Sequence, residues 1–217
     1  MANVFRPRAD LWLRQIAAFA VLASVGGTAA LYYYGPPEYT RVGYAPLQPT
    51  AFSHELHAGQ IGMSCLYCHS NVEESPHAMV PPTATCLNCH NQVRANSPLL
   101  AEIREAGKTG RAVAWERVHK TPDYVYFNHA VHVKRGVGCV SCHGKVNEMP
   151  IIRHDQPLSM GWCLECHRKP ELALRPPSEA TNLDWSPPVG QTQVEVGLHI
   201  KQQLAVNPPQ TCAGCHR

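Results

Sequence analysis

The sequence contains no cysteine outside one repeated pattern, few aromatic rings and little charge. Aromatic residues make up 7% of the 217 positions while prolines number 19, poor material for a protein core of the usual kind. Charged residues are 16%, with a formal net charge of +3, so nothing in the balance calls for nucleic acid as a partner. A dinucleotide-binding glycine loop is missing and no catalytic triad is evident, which leaves nicotinamide chemistry and triad hydrolysis without a motif.

What is present is concentrated in the cysteines. All ten fall in five CxxCH boxes: Cys65–Cys68–His69, Cys86–Cys89–His90, Cys139–Cys142–His143, Cys163–Cys166–His167 and Cys212–Cys215–His216, numbered here first to fifth. A zinc ribbon with four thiolate ligands needs pairs of CxxC and has no use for a histidine after every second cysteine. A disulfide framework does not explain the fixed spacing. Covalent haem c does. Positions i, i+3 and i+4 share one face of a helical turn, so two thiols add to the vinyl groups while the histidine binds iron from the same side. The expected fold is therefore a multihaem cytochrome c, mostly irregular with short α-helices organised around five covalent haems, plus one N-terminal transmembrane helix.

About 180 residues follow the N-terminal segment, fewer than about forty per haem. Porphyrin must supply much of the buried apolar surface, and folding should be coupled to its binding. Haem propionates also change the charge: the oxidised holoprotein should sit near –2, roughly five charges below the bare chain. The boxes carry no lysine variant CxxCK, and little protein volume remains for a substrate pocket, so a catalytic multihaem reductase is disfavoured.

From Ile16 to Tyr34 the chain has no charge. At about 1.5 Å per residue this run reaches roughly 29 Å, enough to span a bilayer. Arg6, Arg8 and Arg14 precede it, and Trp12 and Tyr32–Tyr34 suit interfacial belts. An uncleaved anchor with the haem region exported is expected. The alternative is a signal peptide cleaved near Thr28-Ala29-Ala30, whose apolar core would be unusually long. The expected organisation is a cytoplasmic stub and anchor over 1–34, a proline-rich linker over 35–51, and a periplasmic pentahaem domain over 52–217.

Within that domain, Phe52-Ser53-His54-Glu55-Leu56-His57 precedes the first two boxes as Phe127-Asn128-His129-Ala130-Val131-His132 precedes the next two. This is a repeated two-haem module, over 52–96 and 127–170, with the final haem in 199–217. Between the modules, Ser97–Gly107 reads as a helix with Ser97 as N-cap, Pro98 in its first turn and Gly107 as its stop. Its apolar stripe is Leu99, Leu100 and Ile103. The stretch from Trp115 to Tyr126 reads as extended. Residues 168–188 read as an irregular segment wrapping the surface, 193–204 as a helix, and any sheet as minimal.

Five proximal iron ligands are fixed by the boxes: His69, His90, His143, His167 and His216. For the opposite axial positions, His54 and His129 are each placed on the haem of the box that follows. His57 and His132, three residues on, suit a neighbouring haem. His119 is the fifth choice. His77, His154 and His199 read as solvent-exposed. Met160 and Met149 stand as alternative axial donors near the fourth box, because methionine ligation is known for haem iron, while Met63 and Met79 read as packing.

The segments FSHELH, VPPTATCLNCH, WERVHKTPDYVYFNHAVHVKRGVGCVSCHG and PLSMGWCLECHR together resemble the pentahaem cytochrome subunit of bacterial alternative complex III. The two-module pattern is similar to the wider cytochrome c3/c7 group, which supports His54 on the His69 haem and His129 on the His143 haem. The resemblance implies a membrane-anchored electron relay within a quinol:electron-acceptor oxidoreductase, with no catalytic site in this chain. Implied partners are quinol-binding membrane subunits, an iron–sulfur subunit like molybdopterin oxidoreductases, and a monohaem cytochrome c. The acceptor would be a periplasmic cytochrome c, copper protein or oxidase. The competing expectation is a NapC/NrfH-like membrane quinol dehydrogenase that oxidises quinol at its own haem.

Overall fold

The computed structural model describes residues 7–35 and 41–216, and the chain divides into two units, Met1–Arg41 and Val42–Arg217. Arg6 of the basic flank and linker residues 36–40 lie outside the described residues. The first unit is one helix, α1 (Pro7–Tyr34), none of whose described side chains is buried. Asp10 pairs with Arg14 one turn on, at 2.8 Å. Over Arg8–Tyr34 the helix is long and apolar enough to cross a membrane.

The second unit is built from short helices: α2 (Cys65–Cys68), α3 (Thr83–His90), α4 (Ala101–Thr109), α5 (His129–Lys134), α6 (Cys139–His143), α7 (Met160–Arg168) and α8 (Gln193–Gln203). Four boxes lie on α2, α3, α6 and α7, and the fifth on a 3₁₀ turn, Cys212–Gly214. Among the described residues there is no strand; two single bridges, Val125 with His216 and Val137 with Leu174, are the β pairing. Nine of the thirteen buried apolar residues among the described residues form three separate clusters: Val72, Val133 and Ala180; Ile103, Ala106 and Val113; and Leu174, Val196 and Ile200. No side chain belongs to more than one of them, so these clusters do not amount to a continuous protein core.

Three local expectations are corrected. The inter-module helix begins with a 3₁₀ turn, Pro98–Leu100, and runs to Thr109, with Gly110 as its stop at φ +70°. Gly110 takes the left-handed conformation that ends helices, whereas Gly107 lies inside the helix and so close to Leu87 of the second box that an added Cβ would meet its side chain. Ser97 makes no side-chain cap, and Leu99 faces solvent while Ile103 and Ala106 are buried. The 168–188 segment runs partly through the interior rather than around it: Leu174 and Ala180 are buried, and so is Arg175, whose guanidinium lies 5.0 Å from the Trp185 ring.

Helix α8 closes the C-terminal side. Thr192 Oγ1 accepts from Glu195 N at 3.2 Å, and Glu195 Oε2 accepts from Thr192 N at 2.7 Å, a reciprocal capping box. The helix lies on the 3₁₀ turn Pro170–Leu172, where Gly197 is obligatory because a Cβ would collide with the Glu171 carbonyl. Thr192→Ala is expected to cost about 1 kcal/mol, read as a lowered melting temperature of the holoprotein with its haem spectrum unchanged.

Candidate haem-binding sites

The two prefixes make the same hydrogen bonds, although the first runs into a π-helix, Glu55–Gln60, and the second into α5. In the first, Ser53 Oγ accepts from Leu56 N at 3.1 Å and the Ser53 carbonyl accepts from His57 Nδ1 at 2.8 Å. In the second, Asn128 Oδ1 accepts from Val131 N at 3.3 Å and the Asn128 carbonyl accepts from His132 Nδ1 at 2.7 Å. The residue between phenylalanine and the first histidine thus opens the turn and also orients the second histidine. The phenylalanine packs on both imidazoles: Phe52 lies 4.8 Å from His54 and 4.5 Å from His57, and Phe127 lies 4.7 Å from His129 and 4.5 Å from His132. A backbone carbonyl on Nδ1 leaves Nε2 as the metal-binding nitrogen.

Each second histidine faces a box other than the next one in sequence. The His57 ring centroid lies 6.2 Å from that of His90, and His132 lies 6.2 Å from His167. His129 lies 6.3 Å from His143, nearly parallel at 11°. Two imidazoles on opposite sides of one metal, with metal–nitrogen bonds of about 2 Å, have centroids roughly 6.3 Å apart. All three pairs therefore stand at the separation that an intervening iron requires. His54 is half-buried beside the first box, its Nδ1 buried with no hydrogen-bond partner.

Four of the five box histidines are oriented by carbonyls too. His69 Nδ1 donates to Met79 O at 2.7 Å, His90 to Val93 O at 2.9 Å, His167 to Pro209 O at 2.6 Å and His216 to Tyr124 O at 3.3 Å. Backbone acceptors far from a box leave no mark in its sequence, so these partners escape sequence reasoning; only the Ser53 and Asn128 caps could have been read, from their place before each paired histidine.

Electrostatics favour neutral rings, the form that binds metal. Burial, with His69 and His57 adding to it, lowers His54 to about 4. Burial and then the neighbouring imidazoles, His119 first, lower His143 to about 3. His129 and His132 are lowered by burial, against an opposing hydrogen bond to Pro76 and Asn128 respectively. The Cys142 thiol is pushed up to about 12, by burial first and then by Cys166, Cys163 and Cys139. None of the ten thiols is in a disulfide.

His119 is brought to the third box in an unexpected pose. Its ring is 4.4 Å from His143 at 80°, too close for iron to lie between them, and 5.4 Å from His154. Its Nε2 is buried without a hydrogen-bond partner. His154 is 1% exposed, contrary to the solvent-exposed position expected, because its backbone pairs with the 43–44 segment through Gly43 N and Tyr44 O. His77 and His199 are exposed as expected. Met149 is buried, its carbonyl accepting from Glu55 N, while Met160 is exposed at the start of α7. Met79 is exposed, so its backbone rather than its side chain contributes.

Imidazoles paired across a metal-sized gap beside CxxCH boxes are the hallmark of a multihaem c-type cytochrome, and the paired residues fit covalently bound haem iron. The chain belongs to the family of cytochrome c7 and related cytochromes c, matched over residues 50–111 and 125–217, which take in all five boxes and both prefixes. His119 falls between the matched segments. A relative in Nitratidesulfovibrio vulgaris (strain Hildenborough), the multiheme cytochrome c subunit of a menaquinone reductase, is 40% identical over 97 residues, 44% of this chain and 45% of that one. This chain thus spans about half the length of that curated relative.

Proposed function

We propose that this chain is a pentahaem cytochrome, held at a membrane by α1, that relays electrons within a quinol-linked oxidoreductase of the alternative complex III kind. The observation that carries the reading is the set of three imidazole pairs at 6.2–6.3 Å. Iron closed on both faces, as the imidazole pairs would close it, favours outer-sphere electron transfer over ligand chemistry. Bound haem supplies a one-electron Fe(III)/Fe(II) couple, and the chain's residues do the rest. Cysteine pairs would fix each ring covalently, and His69, His90, His143, His167 and His216 would each supply iron with a nitrogen. His54, His129, His57 and His132 would supply a second nitrogen at the first, third, second and fourth boxes respectively. Carbonyl acceptors hold the tautomers of His57, His69, His90, His129, His132, His167 and His216, and burial disfavours protonation of His54, His129, His132 and His143.

The partners proposed are the quinol-binding membrane subunits, the iron–sulfur subunit and the monohaem cytochrome of such a complex, with the haem unit on the outer face. Pyridine haemochrome analysis is expected to give five haems per polypeptide, and ferric spectra to be dominated by low-spin iron. Fewer haems, or a set of mostly open ferric irons binding nitrite or cyanide, would overturn the reading.

The name of the relative favours a second reading, in which electrons run towards menaquinone instead of away from quinol. Purified complex separates the two. Haem reduction by a quinol analogue supports the first direction, and oxidation of prereduced haem by a menaquinone analogue, with no back reaction, supports the second.

A further inference from the structure

We infer that the five CxxCH boxes are ranged in one unbranched row, ordered second, first, third, fourth, fifth, so that electrons are exchanged with other molecules at the second and fifth. The inference rests on the relay reading above and concerns its internal order, which is not the order of the sequence.

Each link is a set of contacts between boxes. Asn88, inside the second box, donates Nδ2 to the Tyr67 hydroxyl inside the first at 3.1 Å. The first and third boxes share one stretch of backbone: Cys65 Sγ meets Thr181 O at 3.9 Å, and Cys139 N donates to Ala180 O at 2.9 Å. His129, opposite the third-box His143, also donates Nδ1 to Pro76 O at 2.8 Å, in the loop that follows the first box. The third and fourth boxes are tied by α5, which sets His129 opposite His143 and His132 opposite His167. The fourth reaches the fifth through Pro209 and Gln210, just ahead of Cys212: His167 Nδ1 donates to Pro209 O at 2.6 Å and Gln210 Nε2 donates to His167 O at 3.4 Å. Pro209 in turn packs against Gly214 inside the fifth box so closely that a Cβ there would collide with its ring.

Exposure marks the ends independently. Cys89 of the second box and Cys212 of the fifth are exposed, and the other eight cysteines are only partly so. Duplication explains the order. Each prefix ties together the two boxes of its own module, and the modules meet through their first boxes, which pushes the second box outward.

A density map of the full-length holoprotein tests the row directly. The four shortest iron–iron separations should join the second box to the first, the first to the third, the third to the fourth and the fourth to the fifth. The second and fifth haem edges should be the most exposed. All five rings present, but with the second haem closer to the third or fourth than to the first, or the fifth not closest to the fourth, would overturn the order and leave the relay reading intact. Missing rings would instead count against the relay. In solution, His57→Met should raise the potential of the second haem and shift the midpoint of the first haem but not the fifth; an equal shift at the fifth would overturn the row.

Discussion

Replacing His132 with alanine is expected to open one iron. Its ring stands 6.2 Å from His167 with Nδ1 held by the Asn128 carbonyl, so its Nε2 is the nitrogen available on that side. Alanine has no donor, and no other histidine ring is placed at that distance from His167 among the described residues. One ferric haem should therefore pass from low-spin to high-spin, seen as a fall in low-spin electron paramagnetic resonance intensity and a matching rise in a high-spin signal. Added imidazole should restore the low-spin signal. His129→Ala should do the same at the third box, because His119 lies against His143 at 4.4 Å and is not placed across a metal-sized gap from it. His199→Ala, at an exposed position on α8, should leave the spectrum unchanged. Asn128→Ala separates ligation from positioning: it removes the cap on Val131 N but keeps the carbonyl that holds His132. That variant should lose about 1 kcal/mol of stability and remain low-spin. An unchanged low-spin spectrum in His132→Ala would remove His132 from the ligand set.

The five boxes and the paired prefixes were legible in the sequence because haem attachment fixes residue types at fixed spacing, and duplication makes the pattern visible twice. The helix at 193–204 was legible for a similar reason: Thr192 and Glu195 satisfy a local rule. The destination of each second histidine was not, since His57 to His90 and His132 to His167 depend on how the boxes pack across loops of tens of residues. Proline-rich composition misled at 168–188. Prolines there start two short turns, Pro170–Leu172 and Pro177–Glu179, and between and beyond them Leu174 and Ala180 are buried. His154 misled in the same way, because a polar local sequence says nothing about the backbone pairing with residues 43–44 that carries it inside. Gly107 was read as a helix stop from its residue type, but its lack of a Cβ serves close approach to Leu87 instead.

Chain made without haem attachment is expected to lose the folded state of Val42–Arg217 altogether. Nine of the thirteen buried apolar side chains among the described residues lie in three clusters of three, and six of those nine are only Val or Ala. Such clusters cannot offset the entropy of ordering some 170 residues, which costs about 1–2 kcal/mol each for the backbone alone. The short helices cannot stand alone either: α2, α5 and α6 have four, six and five residues, well below the roughly 12–15 that an isolated helix needs in water. In a variant with all ten box cysteines changed to serine, the helical circular dichroism should fall to the level that α1 alone supplies in detergent. Proteases should then cut throughout 42–216. Changing only Cys212 and Cys215 should leave a folded protein with four haems and local loosening around Tyr124–Tyr126, because the fifth box holds that stretch through Tyr126 N to Cys215 O and the Val125–His216 bridge. A haem-free chain that melted cooperatively with its short helices intact would mean that polypeptide rather than porphyrin forms the interior.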